Sequence, residues 1–133
     1  MKIFIAYRFT GVEFAELQNT VGVLCKKLTE AGHSVFSTLD REDYYKQNKS
    51  TTGDIIKEAF SEIEKADIFV ALVNSVEKSE GQLIEIGFVK ALDKKFILLI
   101  KNELRSVHLR YLADKVIEFS DMEDLYKKIS NIS

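Results

Sequence analysis

Apolar residues fall along the chain in two rhythms. Lys2–Tyr7 (KIFIAY), Ser34–Ser37 (SVFS), Asp67–Val73 (DIFVALV), Phe96–Ile100 (FILLI) and Val116–Phe119 are short, nearly continuous apolar runs. They are rich in β-branched and aromatic residues, which predicts buried strands. Between them the spacing lengthens. Phe14, Leu17, Val21, Leu24 and Leu28 advance by three or four residues and lay one stripe along a helix face. Gly32 follows as a left-handed helix stop. Ile56, Phe60 and Ile63 mark a second helix, Ser79–Leu92 (SEGQLIEIGFVKAL) a third, Leu104–Ala113 a short fourth and Asp121–Ile129 a closing one. Leu39–Thr52, polar and bearing tyrosines, is the longest stretch with neither rhythm.

Strands alternating with helices, each strand apolar on both faces, predict a parallel sheet covered on both sides. Five strands suggest a doubly wound, flavodoxin-like, three-layer α/β/α architecture. The chain has no proline, no repeat and no low-complexity linker, so residues 1–133 are expected to form a single domain.

In such a sheet, ligands bind outside the carboxyl ends of the strands, where the strand order reverses. That rim carries the loops after Tyr7, Ser37, Val73 and Ile100, with helices expected to open near Thr10 and Ser79. Thr10-Gly-Val-Glu13, Ser79-Glu-Gly-Gln82 and Ser120-Asp-Met-Glu123 all have capping-box spacing. Helix capping accounts for Ser120. At Thr10 and Ser79, capping and anion binding by free backbone N–H groups stand side by side, and Gly11 and Gly81 permit close backbone approach.

Glu85 is the single carboxylate among Leu83, Ile84, Ile86 and Phe88. Either it faces solvent, or it looks toward the crevice on the face it shares with Gly81 and Gln82. In the crevice, desolvation would raise its pKa, while the helix N-terminus and a nearby Arg8 would lower it. An ionised carboxylate in a semi-apolar crevice suits a nucleophile or a stabiliser of an oxocarbenium ion.

Composition closes several other routes. Hydrophobic residues make up 46% and charged ones 30%, a globular balance. The 19 basic and 21 acidic residues are intermixed, for a net charge of −2, so no polymeric nucleic acid is expected as partner. The lone Cys25 sits in an apolar helical pattern and reads as a reduced core residue. One cysteine and two histidines supply no metal-ligand cluster. A strand starting at Lys2 leaves no room for a signal peptide, and no apolar run approaches membrane-spanning length. The expectation is a cytoplasmic protein without a membrane partner.

The stretch SEGQLIEIGFVKAL, preceded by ADIFVALV, resembles the nucleoside 2-deoxyribosyltransferase family, which includes the 2'-deoxynucleoside 5'-phosphate N-hydrolases. The shared pattern is Ser79, Gly81, Glu85, Ile86 and Gly87, and the N-terminal KIFIAYRFTG is similar to the family's first strand and loop. The resemblance runs to about Leu125. It implies that Glu85 attacks the anomeric carbon of a (deoxy)nucleoside or its 5'-monophosphate and expels the base, with no cofactor. Hydrolysis or transfer to a second base then follows. It implies further that Ser79 and Gly81, with the loop Tyr7, Arg8, Phe9, Thr10 and Gly11, hold the sugar's 5' end, with Gln82 as a further substrate-binding candidate. Arg8 and Thr10 would suit a 5'-phosphate. Homodimers or higher homo-oligomers, in which one subunit completes its neighbour's site, are also implied.

One position departs from the family. Many members carry an aspartate where this chain has Ala59, beside Glu58; either Asp40 or Asp43 does that work here, or catalysis is weakened. Asp67, at the opposite end of its strand, reads as structural. Tyr44 and Tyr45 either stack on a base or shield the sheet edge. Two alternatives stay open. FIAYRFTG followed by GHSVF is similar to Toll/interleukin-receptor domains, NAD-cleaving or signalling modules, although their Ser-x-Trp-Cys-x-x-Glu pattern is missing. The other is a nucleotide-binding sensor that kept the pocket and lost the chemistry.

Overall fold

The structure, a computed structural model, describes residues 1–132. Five strands, β1 (Lys2–Ala6), β2 (Ser34–Phe36), β3 (Ile68–Val73), β4 (Lys95–Lys101) and β5 (Lys115–Phe119), form one parallel sheet in the order β2-β1-β3-β4-β5. This is the doubly wound order of flavodoxin-like folds, with its reversal between β1 and β3. The expected architecture holds in full.

Side chains alternate across the sheet and build two cores. Ile3, Ile5, Val70, Leu72 and Leu99 pack on one face against helix α1 (Phe14–Leu17), a π-helical turn (Gln18–Gly22) and α2 (Val23–Glu30). Phe4, Ala6, Phe69, Ala71 and Leu98 face the other layer, built on α4 (Thr52–Lys65), α5 (Glu80–Ala91) and α6 (Val107–Leu112). Helix α7 (Met122–Lys128) closes the first layer through Leu125. At the rim the second face carries small residues: Ala6 pairs in register with Ala71, and Ala59 of α4 joins the same cluster.

Several local expectations need correction. No helix opens at Thr10: Gly11 has φ +80°, outside helical geometry, and α1 begins at Phe14 without a side-chain cap. Phe14, expected on the buried stripe, is 46% exposed. The π turn inserts one residue into the helical repeat and rotates the first turn out of phase with Leu17, Val21, Leu24 and Leu28. Asp121, not Ser120, caps α7, accepting from Asp124 N while the Asp124 carboxylate accepts from Ser120 N. The short late helix starts at Val107 rather than Leu104.

The largest correction falls in Leu39–Thr52, which is not a loop. It folds as a 3-10 turn (Thr38–Arg41) followed by α3 (Glu42–Gln47). Helix α3 buries only Tyr45, so no apolar stripe announced it. The element is held by polar contacts instead. Arg41 grips Glu58 of α4 with two bonds of 2.8 Å, and the Tyr45 hydroxyl donates to the same carboxylate at 2.8 Å. The Glu58 carboxyl is held below its ordinary pKa, Arg41 being the main cause.

Candidate active site

The carboxyl ends of β1 and β3 diverge at the reversal of strand order and open a cleft of about 250 Å³. Tyr7, Arg8, Val12, Asn74 and Ser75 line it, and the π turn contributes Thr20 and Val21. The cleft is smaller than the roughly 300 Å³ at which ligand pockets usually begin. Glu85 does not line it.

Glu85 lies on α5, in the opposite layer. Ser79 caps that helix, its hydroxyl accepting from Gln82 N at 3.2 Å, so capping is the role the structure gives to Ser79. Gln82, Ile86 and Val89 form the buried stripe of α5, and Glu85 flanks it one turn beyond Gln82. The Gln82 side chain does not complete a capping box. Its amide nitrogen reaches into the sheet and donates to the carbonyls of Ala6 (3.2 Å) and Leu72 (2.9 Å). Both acceptors are carbonyls, which fixes the amide orientation. One side chain thus ties the helix that carries Glu85 to the ends of both strands that frame the cleft.

Glu85 is half-buried, and burial pushes its carboxyl up to about 7. Desolvation is the sole cause. The opposing influence expected from Arg8 is missing, because Arg8 is engaged elsewhere. Its Nη1 donates to Glu77 Oε2 and to the Thr10 carbonyl, both at 2.9 Å. Nor does any neighbouring carboxylate contribute to the Glu85 shift.

The remaining candidates divide. Tyr7 is buried, and its hydroxyl shares a 2.9 Å hydrogen bond with Thr38 Oγ1. Burial pushes that phenol up to about 12, so it stays protonated and serves as a neutral hydrogen-bonding group. Arg8 joins Tyr7 in the cleft wall. Phe9, Thr10, Gly11 and Gly81 are exposed, and a Cβ at Gly81 would meet nothing within 4 Å. Asp40 and Asp43 are exposed as well. Ala59 is buried in the core, and Glu58 beside it is consumed by Arg41 and Tyr45. Tyr45 is buried with its hydroxyl bonded to Glu58, whereas Tyr44 is exposed and has one ring face against the Arg41 guanidinium, 3.9 Å from its centre. Asp67 accepts from Lys2 N at 2.8 Å at the far end of the sheet, a structural role. Among the described residues no cluster of three or more His, Cys, Asp or Glu could hold a metal, and no helix is long and apolar enough to cross a membrane.

Sequence reasoning missed Asn74 and Ser75, although their place directly after β3 marks them as rim residues. It also missed Glu77, whose partner stands 69 residues away and leaves no local signal.

Comparison with known proteins adds three findings. A sequence model described as nucleoside 2-deoxyribosyltransferase matches residues 7–123. Among solved structures, the CMP N-glycosidase of Clostridium botulinum is 21% identical, with all of both chains covered and a TM-score of 0.74. A 2-deoxyribosyltransferase from Bacillus psychrosaccharolyticus is 20% identical over 98% of this chain and 91% of its own, with a TM-score of 0.72. At these identities the structural likenesses establish a common fold. No curated protein matches the chain.

Proposed function

The chain belongs to the nucleoside 2-deoxyribosyltransferase family, and from that premise we propose that it cleaves or exchanges the N-glycosidic bond of a (deoxy)nucleoside or nucleoside 5'-monophosphate, with Glu85 as nucleophile. The observation that carries this reading is the state of Glu85: half-buried, raised to about 7 by desolvation alone, and held one turn from the Gln82 anchor at the strand reversal. A desolvated carboxylate is a stronger nucleophile than a solvated one, and near neutral pH about half of it is ionised. One carboxylate oxygen forms a bond to C1' of the sugar. The C1'–N bond breaks, its electron pair leaves with the base, and the base takes up a proton. Water then opens the glycosyl ester in hydrolysis, or a second base attacks C1' in transfer. Neither route, so written, calls for a cofactor.

Tyr7, Arg8 and the loop through Gly11 are proposed to receive the sugar's 5' end, with Ser79, Gly81 and Gln82 shaping the approach to C1'. A homo-oligomer is part of the same proposal. The cleft of one chain does not reach Glu85, and α5 leaves Leu83 and Ile84 41% and 50% exposed beside the open face of Gly87. A second copy seated there would enclose the carboxylate.

One observation favours a second reading, a sensor that binds without cleaving. The position of the family aspartate is the buried methyl of Ala59, and the adjoining Glu58 is tied up in an ion pair. The test is to incubate the protein with nucleosides, their 5'-monophosphates and NAD, with and without a second free base, and to follow base release chromatographically. Release from a nucleoside or monophosphate is expected, and incorporation of the added base would identify a transferase. Release from NAD alone would overturn the proposal in favour of a Toll-like activity. Ligand-induced thermal stabilisation without any release would favour the sensor.

A further inference from the structure

Arg8, which lines the cleft, is paired with Glu77, a carboxylate to which the proposed chemistry gives no role. Arg8 is mostly enclosed, its side chain 19% exposed, whereas its partner Glu77 is 70% exposed. The guanidinium bonds to Glu77 and to the Thr10 carbonyl through Nη1, while Nε is buried without a partner among the described residues. A planar guanidinium offers five donors in a fixed fork, and a buried donor left empty is unfavourable. Gly11 at φ +80° curls the loop closely about this group; a Cβ there would stand 3.4 Å from Nη1. The arrangement is a seat for an oxyanion, filled from within by a carboxylate. Glu77 reaches it from the segment between β3 and α5, where its own N–H donates to Ser75 Oγ at 3.2 Å. Ser75 and Asn74 line the same cleft.

We infer that Glu77 is an internal competitor for the Arg8 seat and sets the preference of the site at the sugar's 5' position. This deepens the reading of the cleft as the sugar's 5' pocket and rests on it. With Glu77 seated, an uncharged 5'-hydroxyl fits, because it can donate to the carboxylate. A 5'-phosphate meets a like charge and must displace Glu77 to reach Arg8. The carboxylate is poised to leave, since it is mostly in solvent and exposed ion pairs hold weakly.

The test titrates 1,2-dideoxyribofuranose and its 5-phosphate, followed by NMR, into the wild-type protein, Glu77→Gln, and Glu77→Gln combined with Arg8→Gln. Glu77→Gln should bind the phosphorylated sugar roughly fivefold tighter, the scale of a surface ion pair, and leave the unphosphorylated sugar within about twofold. The gain should vanish in the double variant. Unchanged or weaker binding of the phosphorylated sugar by Glu77→Gln, or a gain that survives without Arg8, would overturn the inference. The probes carry no base and undergo no cleavage, so they report on the seat alone. A fivefold gain in a protein that releases no base would uphold the competitor and count against the enzymatic reading. Base release without the gain would do the reverse.

Discussion

At Glu85, burial lifts the carboxyl from 4.5 to about 7 with nothing to offset it. The folded state therefore binds more protons than the unfolded chain between those values. The stability this contributes is complete below about pH 4.5 and is lost as pH rises through about 7. By pH 8 the penalty for the ionised group is on the order of 3 kcal/mol. Glu85→Gln should thus be more stable than wild type at pH 8 and close to it at pH 4.5, as measured by urea unfolding. An identical difference at both pH values would mean that Glu85 is solvated. If Glu85 is the nucleophile, turnover should move the other way, with kcat/KM rising with pH as the carboxylate ionises around 7. Gln82, anchored to the carbonyls of Ala6 and Leu72, is proposed as the positioning residue for this group. Gln82→Leu strips a donor from two strand-end carbonyls, costs about 1–3 kcal/mol, and is expected to lower kcat by tenfold or more with little change in KM. A fall in stability with kcat intact would reduce Gln82 to a structural staple. The glutamate itself was legible, as a lone acid in an apolar run behind a serine cap. The Gln82 anchor was not, because both its acceptors are main-chain carbonyls that only the assembled sheet brings together.

Among the elements, α5 shows both sides of that legibility. Its cap at Ser79 follows from sequence spacing, whereas its buried stripe of Gln82, Ile86 and Val89 shows only in the folded helix. The exposed Leu83 and Ile84 go beyond what one sheet face requires. If a second copy covers them, Ile84→Glu should turn a homo-oligomer into a monomer in analytical ultracentrifugation and lower turnover with it. A wild-type protein that sediments as a monomer would contradict the pairing. Helix α3 shows why periodicity fails elsewhere. Its single buried residue, Tyr45, and the Arg41–Glu58 pair that pins it make no repeating pattern, so the segment shows neither rhythm. The capping box of Thr51 and Asp54, which starts α4, stands in the sequence directly before Ile55 and Ile56. The π turn of the first helix leaves the spacing of Leu17, Val21, Leu24 and Leu28 intact and betrays itself only in the outward turn of Phe14.

For the whole molecule, β-α alternation and strands apolar on both faces were enough to anticipate a parallel sheet. The reversal between β1 and β3 then placed the candidate site. What the sequence could not convey is which charges meet there. Arg8 was expected to act on Glu85; it meets Glu77, 69 residues along the chain, and leaves Glu85 to desolvation. Such pairings depend on loop conformation at the rim, which no periodicity encodes. The separation of the cleft from Glu85 likewise emerges only once both layers stand on the sheet. The most direct measurement is the turnover of wild type and Glu85→Gln, side by side, on the nucleoside or monophosphate from which wild type releases base. The isosteric variant keeps the helix and removes only the proposed nucleophile. A loss of at least about a thousandfold is expected in a protein whose circular dichroism is unchanged. A variant that releases base within tenfold of the wild-type rate would contradict it.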